Sequence, residues 1–399
     1  MAAERLACTA VDAAEVAARV RAQVPPGASV AEEVREIVAA VRAGGDEALL
    51  AYERRFGGGG ELRVGEEELR AALDALAPDV RAGLEVAIAN VRAVAEAGLD
   101  AEAEATLPQG HTVRLRELPV ARAAVYVPAG RNPYPSTVVM GAVTARAAGV
   151  DEVVVAAGAH PAILAAAALC GVDAVFRMGG AQAVAALAYG TETVPAADVI
   201  VGPGSLWVQE AKRQVSGDVG IDGFAGPSDL TVILSAGADT EALALDLEAQ
   251  AEHGEGSLVV AVSDDAALLD GLSGVTVEAD TLGAALAFAE ALAPEHLQLA
   301  GAAAEALAPR VRSAGCLFVG SETGTAFGDY VAGSNHTLPT GGAARFASGL
   351  NARHFRRRMA EVRLGAAAGE LARAGAPIAR AEGFPRHAAS MEIRENPRP

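Results

Sequence analysis

The stretches "ARAAVYVPAG" (121–130) and "DEVVVAAG" (151–158) each run a short apolar segment into a glycine, at Gly130 and Gly158. "VDAVFRMGG" (172–180) and "ADVIVGPG" (197–204) repeat the pattern, with Ala-rich helical stretches between them. Short apolar strands separated by helical runs predict a parallel sheet with crossover helices. Ligands of such sheets sit outside the carboxyl ends of the strands, which is where these glycines fall. A second set follows in "LTVILSAG" (230–237), "SLVVAVS" (257–263), "VTVEAD" (275–280) and "GCLFVG" (315–320). It repeats the architecture in pattern, not in residue identity.

Before the first set, "VAEEVREIVAAVRAGGDEALLAYERRF" (30–56) places apolar residues three and four apart, then turns at "GGGG" (57–60), so residues 1 to about 118 read as mostly helical. After Gly320 the chain is rich in Gly, Ser, Asn and Thr, and from about 346 it returns to helix with many arginines. The expected fold is α/β, with two incomplete Rossmann-like parallel-sheet domains and small N- and C-terminal helical extensions. The expected borders are a helical extension over 1–25, one α/β domain from 26–119 plus 232–345, a second over 120–231, and a helical C-terminal domain over 346–399.

The 399 residues are 51% hydrophobic, enough for a sizeable core. A formal charge of −19 argues against nucleic acid, whose phosphates need clustered Lys and Arg. No segment has the roughly 18 uncharged apolar residues of a membrane span, and the first residues mix acids and arginines unlike a signal peptide. Three scattered cysteines, Cys8, Cys170 and Cys316, give neither a disulfide framework nor a thiolate zinc site. The expected compartment is the cytoplasm.

No GxGxxG follows a strand and no GxxxxGK[ST] occurs, so a nucleotide must be held without either fingerprint. The turns "PAGRNP" (128–133), "RMGGAQ" (177–182) and "VGPGS" (201–205) offer backbone N–H groups to a pyrophosphate at helix starts, although glycine at a βα turn is also expected on structural grounds. Five of the seven histidines lie beyond position 250. In "LALDLEAQAEHGEG" (243–256), Gln250 and His253 are three apart on one helix face, a metal-ligand spacing that a histidine favoured by a helix C-terminus also satisfies. "GDYVAGSNHTLPTGG" (328–342) sets Asp329 and His336 in a loop of small polar residues, and "RAEGFPRHAAS" (380–390) supplies Glu382 and His387. Gln, His, Asp and His form an N/O ligand set suited to Zn²⁺ or a close relative. In "ALAPEHLQLA" (291–300), Glu295 and His296 follow a proline that can open a helix.

These motifs resemble histidinol dehydrogenase, the zinc-dependent enzyme family of histidine biosynthesis. The resemblance runs from about residue 30 to 392, through "YVPAG", "YPSTVVMGAVTARAAGV", "GGAQAVAALAYGTETVP", "GPGSLWVQEAKRQV", "AGPSDL", "AQAEH", "APEHL", "GDYVAGSNHTLPTGG" and "EGFPRHA". It implies zinc ligands at Gln250, His253, Asp329 and His387, one Zn²⁺ per subunit, with the last ligand from the partner of a homodimer with shared active sites. It implies Glu295 and His296 as the acid–base pair, and Ser228, His336 and Glu382 at the substrate beside His296 and the metal ligands. Tyr126, Gln182 and Ser205 match NAD positions, so 120–231 is the expected NAD side and 346–399 the part reaching the partner. The implied reaction takes L-histidinol, a small amino alcohol, through the aldehyde to L-histidine with two NAD⁺.

Ser205 stands where the family usually shows asparagine, Asp229 where glutamate is usual, and Gly254 where aspartate is usual. Such drift leaves open a paralogous zinc- and NAD-dependent dehydrogenase of another small alcohol, such as sulfopropanediol. The acid at 382 suits a cationic substrate and favours the first reading. A zinc-binding protein without turnover has no need of the Glu295–His296 pair.

Overall fold

A computed structural model describes residues 5–24, 29–128, 132–224, 226–254 and 256–395. The expected strand end at Gly130, the middle of the 128–133 turn and the expected border at 25–26 lie outside them. The chain forms two units, 1–98 with 120–355 and 99–119 with 356–399.

Strand β1 (Arg5–Cys8) opens the first unit, β2 (Ala103–Thr106) and β3 (Thr112–Pro119) belong to the second, and β4 (Arg122–Tyr126) begins a parallel sheet in the first. That sheet continues with β5 (Glu152–Ala157), β6 (Ala174–Arg177), β7 (Val199–Val201) and β8 (Gly220–Ile221), in spatial order β6-β5-β4-β7-β8. The next strands are β9 (Asp229–Leu234), β10 (Leu258–Ser263), β11 (Val275–Ala279), β12 (His296–Ala300) and β13 (Cys316–Val319), and they lie in the order β11-β10-β9-β12-β13 with β1 added outside β11. Numbered from its own first strand, each set has the order 3-2-1-4-5. This is the doubly wound Rossmann order without its sixth strand, and all pairings in both sheets are parallel. The repeat seen as a sequence pattern is therefore a repeat of topology.

The helices distribute differently from the expected borders. Residues 31–97 fold into α2 (Ala31–Arg55), α3 (Glu66–Asp74) and α4 (Pro78–Ala97), which pack on α5 (Pro135–Ala147), α6 (Pro161–Cys170), α7 (Gly180–Tyr189) and α8 (Leu206–Val215). Val34, Ile37, Val41 and Leu49 share a core with Ala124, Val154 and Ile200 of the β4–β8 sheet, so this segment belongs with that sheet and not with 232–345. The expected N-terminal helical extension contains β1 as well as α1 (Ala13–Arg21). Leu6, Ala13, Ala17 and Val20 are buried with Val262, Val277 and Phe288 of the β9–β13 sheet, because β1 alternates exposed and buried residues and completes that sheet's edge. Helix α5 is buried on every side from Ser136 to Ala145, which explains why its stretch shows no amphipathic period.

In the second unit, the segment expected to be helical contributes β14 (Arg356–Arg363), which pairs antiparallel with β3, and β3 pairs with β2. Arg and Glu side chains on this sheet pair across strands, as in Arg358 with Glu117 and Arg116 with Glu361, so charge replaces the apolar run that marks a strand. Helices α13 (Ala368–Ala381) and α14 (Pro385–Glu392) pack through Ala376, Ala379 and Ala388.

Candidate active site

The amino ends of β9 and β12 gather the candidate residues. In the parallel register His296 lies opposite Leu230, so Glu295 meets Asp229 just before both strands begin. Ala293, the one non-glycine with positive φ among the described residues, ends α10 (Leu282–Leu292) in a left-handed turn at φ 48°. Pro294 follows and cannot continue a helix, so the chain enters β12 directly; the helix that this proline was expected to open is a strand.

Glu295 is 6% exposed and its Oε2 accepts from Ser228 Oγ at 2.5 Å and from the Asp229 N–H at 3.1 Å. Ser228 Oγ in turn accepts from Gln250 Nε2 at 2.7 Å, giving a chain from Gln250 through Ser228 to Glu295. Asp229, 1% exposed, accepts from the Glu295 N–H at 2.7 Å and from Arg21 at 2.6 Å, and Arg21 also donates to the Leu292 carbonyl at 2.6 Å. Aspartate at 229 thus fits this chain: its two oxygens hold the Glu295 backbone on one side and α1 on the other. His296 is 2% exposed, with Nδ1 3.2 Å from the Asp229 carbonyl and 3.7 Å from Glu295 Oε2. Its Nε2 lies 3.6 Å from Asp329 Oδ1 and is buried without a hydrogen-bond partner.

These surroundings set the protonation states. Burial raises the Glu295 carboxyl to about 7, against the opposing pull of His296 and Ser228. Burial pushes the His296 imidazole down, but the Asp329 and Glu295 carboxylates outweigh it and lift it to about 9. Burial would also raise Asp329, yet His296, His336 and His253 together hold it below the usual carboxylate range. His336, fixed by Thr137 at 3.2 Å and the Asp329 carbonyl at 3.0 Å, is pushed down chiefly by burial.

A cleft of about 400 Å³ brings Ser228, His253, Glu295, His296, Asp329 and His336 to one surface. Its opposite wall is Pro128, Pro203, Gly204 and Ser205, which follow β4 and β7. The first sheet thus faces the cleft with its carboxyl strand ends and the second with its amino ends. Helix α9 (Thr240–Ala251) and α10 end at that edge, so their negative C-terminal poles, with Gln250 on the last turn of α9 and His253 two residues past its end, favour cations. Gly254, with φ +107°, turns the chain back after His253, a conformation that glycine adopts without strain.

The adjoining cleft, about 610 Å³, is lined by Ala157–Ala159 after β5, Arg177–Gln182 after β6, Gly57–Gly59, Glu53 and Trp207, and Ser205 borders both clefts. Here the structure corrects the reading of "RMGGAQ" as a pyrophosphate cradle. The Gly179 N–H donates to Glu53 Oε1 at 3.0 Å and the Gly180 N–H to the Tyr126 hydroxyl at 3.0 Å, so both groups are already taken. Tyr126 and Gln182 are buried, and Gln182 Nε2 donates to Glu53 Oε1 at 2.9 Å. Ser205 caps α8 without a side-chain hydrogen bond. Gly202, at φ +120°, brings the chain so close to β4 that a Cβ there would stand 2.1 Å from the Tyr126 carbonyl oxygen.

A profile of the family described as histidinol dehydrogenase matches residues 21–274 and 269–395. The chain is 40% identical over 400 residues to histidinol dehydrogenase of Pseudomonas aeruginosa, covering 92% of this chain and 91% of that one, and 40% identical over 395 residues to that of Aromatoleum aromaticum, covering 90% of each. The crystal structure of histidinol dehydrogenase from Elizabethkingia anophelis superposes with a TM-score of 0.92 over 98% of both chains at 27% identity. The chain belongs to the histidinol dehydrogenase family. It is an oxidoreductase of amino-acid biosynthesis.

Of the family positions carried over from sequence, Gln250, Ser228, Glu295, His296, Asp329 and His336 converge, with His253 on the cleft wall. Glu382 and His387 belong to the second unit, where Glu382 caps α13 and His387 packs its ring edge-on against Phe384 at 5.2 Å. Among the described residues no three His, Cys, Asp or Glu side chains form a metal group. The ligand set implied by the family includes an amide, Gln250, and a residue of a second copy. Sequence reading missed Arg21, Thr137, Glu53 and the buried Lys212–Asp222 pair that clasps Gly202 from both sides. Arg21 and Glu53 sit in helices most of whose other charges are exposed, and nothing local distinguishes them.

Proposed function

We propose that this protein oxidises L-histidinol to L-histidine through the aldehyde, with Zn²⁺ and two NAD⁺, as a cytoplasmic homodimer. One observation carries the reading: buried Glu295 and His296, with half-buried Ser228 and Asp329, face a cleft formed by both sheets.

The donor chemistry fits the metal. Gln250 gives its N–H to Ser228 and keeps its amide oxygen, His253 Nδ1 sits 3.1 Å from the Gln250 carbonyl and leaves Nε2, and Asp329 stays ionised. With His387 of a second copy these residues would hold Zn²⁺, which when bound serves as a template for the substrate's imidazole and amine and as a Lewis acid. NAD⁺, when bound, would supply the hydride acceptor, and His296 accepts the alcohol proton. That requires a neutral imidazole, and engagement of Asp329 by a cation removes the main charge holding His296 up at about 9. Glu295, raised to about 7, takes a proton from the water that attacks the aldehyde, and the hydrate yields the second hydride. His336 and Ser228 border the substrate. Tyr126, Gln182 and Ser205 flank the cofactor cleft.

The dimer is supported by the second unit: Glu382 and His387 are exposed, beside exposed Ile378, Phe384 and Ile393. A subunit partner covers such a surface and Glu382 meets the substrate ammonium. For the compartment, no described helix is long and apolar enough to cross a membrane.

The sulfopropanediol reading is disfavoured by charge. Among the described residues lining the 400 Å³ cleft there is no Lys or Arg to meet a sulfonate, while Glu295 and Asp329 are present. Rates of NADH formation with L-histidinol and with 2,3-dihydroxypropanesulfonate test this directly. The reading requires L-histidinol to be preferred, and preference for the sulfonate contradicts it.

A further inference from the structure

Glu53 is a buried carboxylate that the chemistry above does not use. It projects from α2 into the 610 Å³ cleft, is 8% exposed, and spends Oε1 on the Gly179 N–H and Gln182 Nε2. Its other oxygen faces the Gly57–Gly59 turn that roofs the same cleft, where a Cβ added at Gly58 would stand 2.6 Å from Oε2. A carboxylate accepts hydrogen bonds and donates none, so this wall calls for a donor. It also repels anions: the start of α7, where a doubly wound sheet commonly receives phosphate, is already neutralised by Glu53. Among the described residues lining the cleft the one cation is Arg177, and it is tied to Glu68 and to the Glu61 carbonyl at 3.2 Å.

We propose that Glu53 is the residue by which this site accepts a ribose diol of the dinucleotide and rejects a ribose that carries a phosphate, so that it sets the choice of NAD⁺ over NADP⁺. The inference rests on the cofactor reading above. Vicinal hydroxyls supply the donors that Oε2 lacks, whereas a 2′-phosphate brings two negative charges against a buried one; among the described residues lining the cleft the one cation, Arg177, is already paired, and Arg55 beside it stacks on the Phe56 ring at 5.6 Å. By orienting the Gln182 amide, Glu53 also positions a residue that flanks the cofactor.

Trp207 is the single tryptophan of the chain and lines this cleft, so its emission reports dinucleotide binding independently of metal and turnover. Titrations with NAD⁺ and NADP⁺ are compared for the wild type, Glu53→Gln and Glu53→Asp. Glutamine retains an oxygen for Gly179 and Gln182 but removes the charge, and it is expected to weaken NAD⁺ about tenfold and to bring the NADP⁺ to NAD⁺ ratio of dissociation constants towards one. Aspartate keeps the charge and loses reach, so NADP⁺ rejection persists while NAD⁺ weakens. The second variant reads the proposal if the first does not fold. An unchanged ratio in Glu53→Gln, or lost rejection in Glu53→Asp, overturns the inference while leaving the cofactor site intact. Wild-type emission insensitive to NAD⁺ at concentrations that support NADH formation overturns the placement of the cofactor and this inference with it.

Discussion

Glu295 and His296 show how position outweighs residue type. On a solvated surface the dipeptide titrates in its ordinary ranges; at the buried amino ends of β9 and β12 burial moves the acid to about 7 and two carboxylates move the imidazole to about 9. A base works only when deprotonated, so the water-activating half of the reaction is expected to rise with pH through about 7 and level off above it. A pH–rate profile with the aldehyde as substrate checks this. Glu295→Gln should lose that limb and about a hundredfold or more in rate, and a variant that keeps both shows that another group is the base. The Glu-His pair was legible from sequence through its motif, but its pKa values were not, since they depend on Ser228, Asp229 and Asp329, each far away along the chain. Glu53 and Arg21 were illegible for the opposite reason: each lies in a charged helix whose neighbouring acids and arginines face water.

At the level of elements, strand–glycine–helix periodicity made both parallel sheets readable, because buried parallel strands are apolar runs. It failed for β1, β3 and β14. β1 is a four-residue edge strand, and β3 and β14 are rich in arginine, with Glu117 and Glu361 paired across strands to Arg358 and Arg116. It also failed at Pro294, where β9 recruits the following residues into its ladder. Attachment of 31–97 to the β4–β8 sheet is a packing choice between two similar apolar surfaces, and periodicity cannot make it. The N-terminal helix α1, read as an extension, is bolted to the site by Arg21. Replacing Arg21 with alanine leaves the Asp229 charge buried and unpaired, and the expected loss is about 2 kcal/mol, less than for a fully enclosed pair because Arg21 reaches solvent. Chemical denaturation of the metal-free protein measures it. A loss below the error of the extrapolation would mean that α1 does not brace the site.

For the molecule as a whole, the two 3-2-1-4-5 sheets present opposite ends to one cleft. Carboxyl ends bring glycine turns, and amino ends bring helix C-termini and acids; in the proposed reading the first face a cofactor and the second a metal and an amine. The account adds a second copy, whose Glu382 and His387 complete each site. Mixing His253→Ala with His387→Ala subunits tests that arrangement: each mixed dimer then holds one intact site and one doubly damaged one, so a scrambled equal mixture recovers about a quarter of wild-type activity from two inactive parents. No recovery, with mixed dimers demonstrated, shows that each site is built within one chain. The central claim, a four-electron oxidation at this cleft, is met most directly by counting NADH formed from a limiting amount of L-histidinol, with and without a chelator. The account predicts two NADH for each histidinol and none after the metal is removed. One NADH for each histidinol, or turnover that survives chelation, contradicts it.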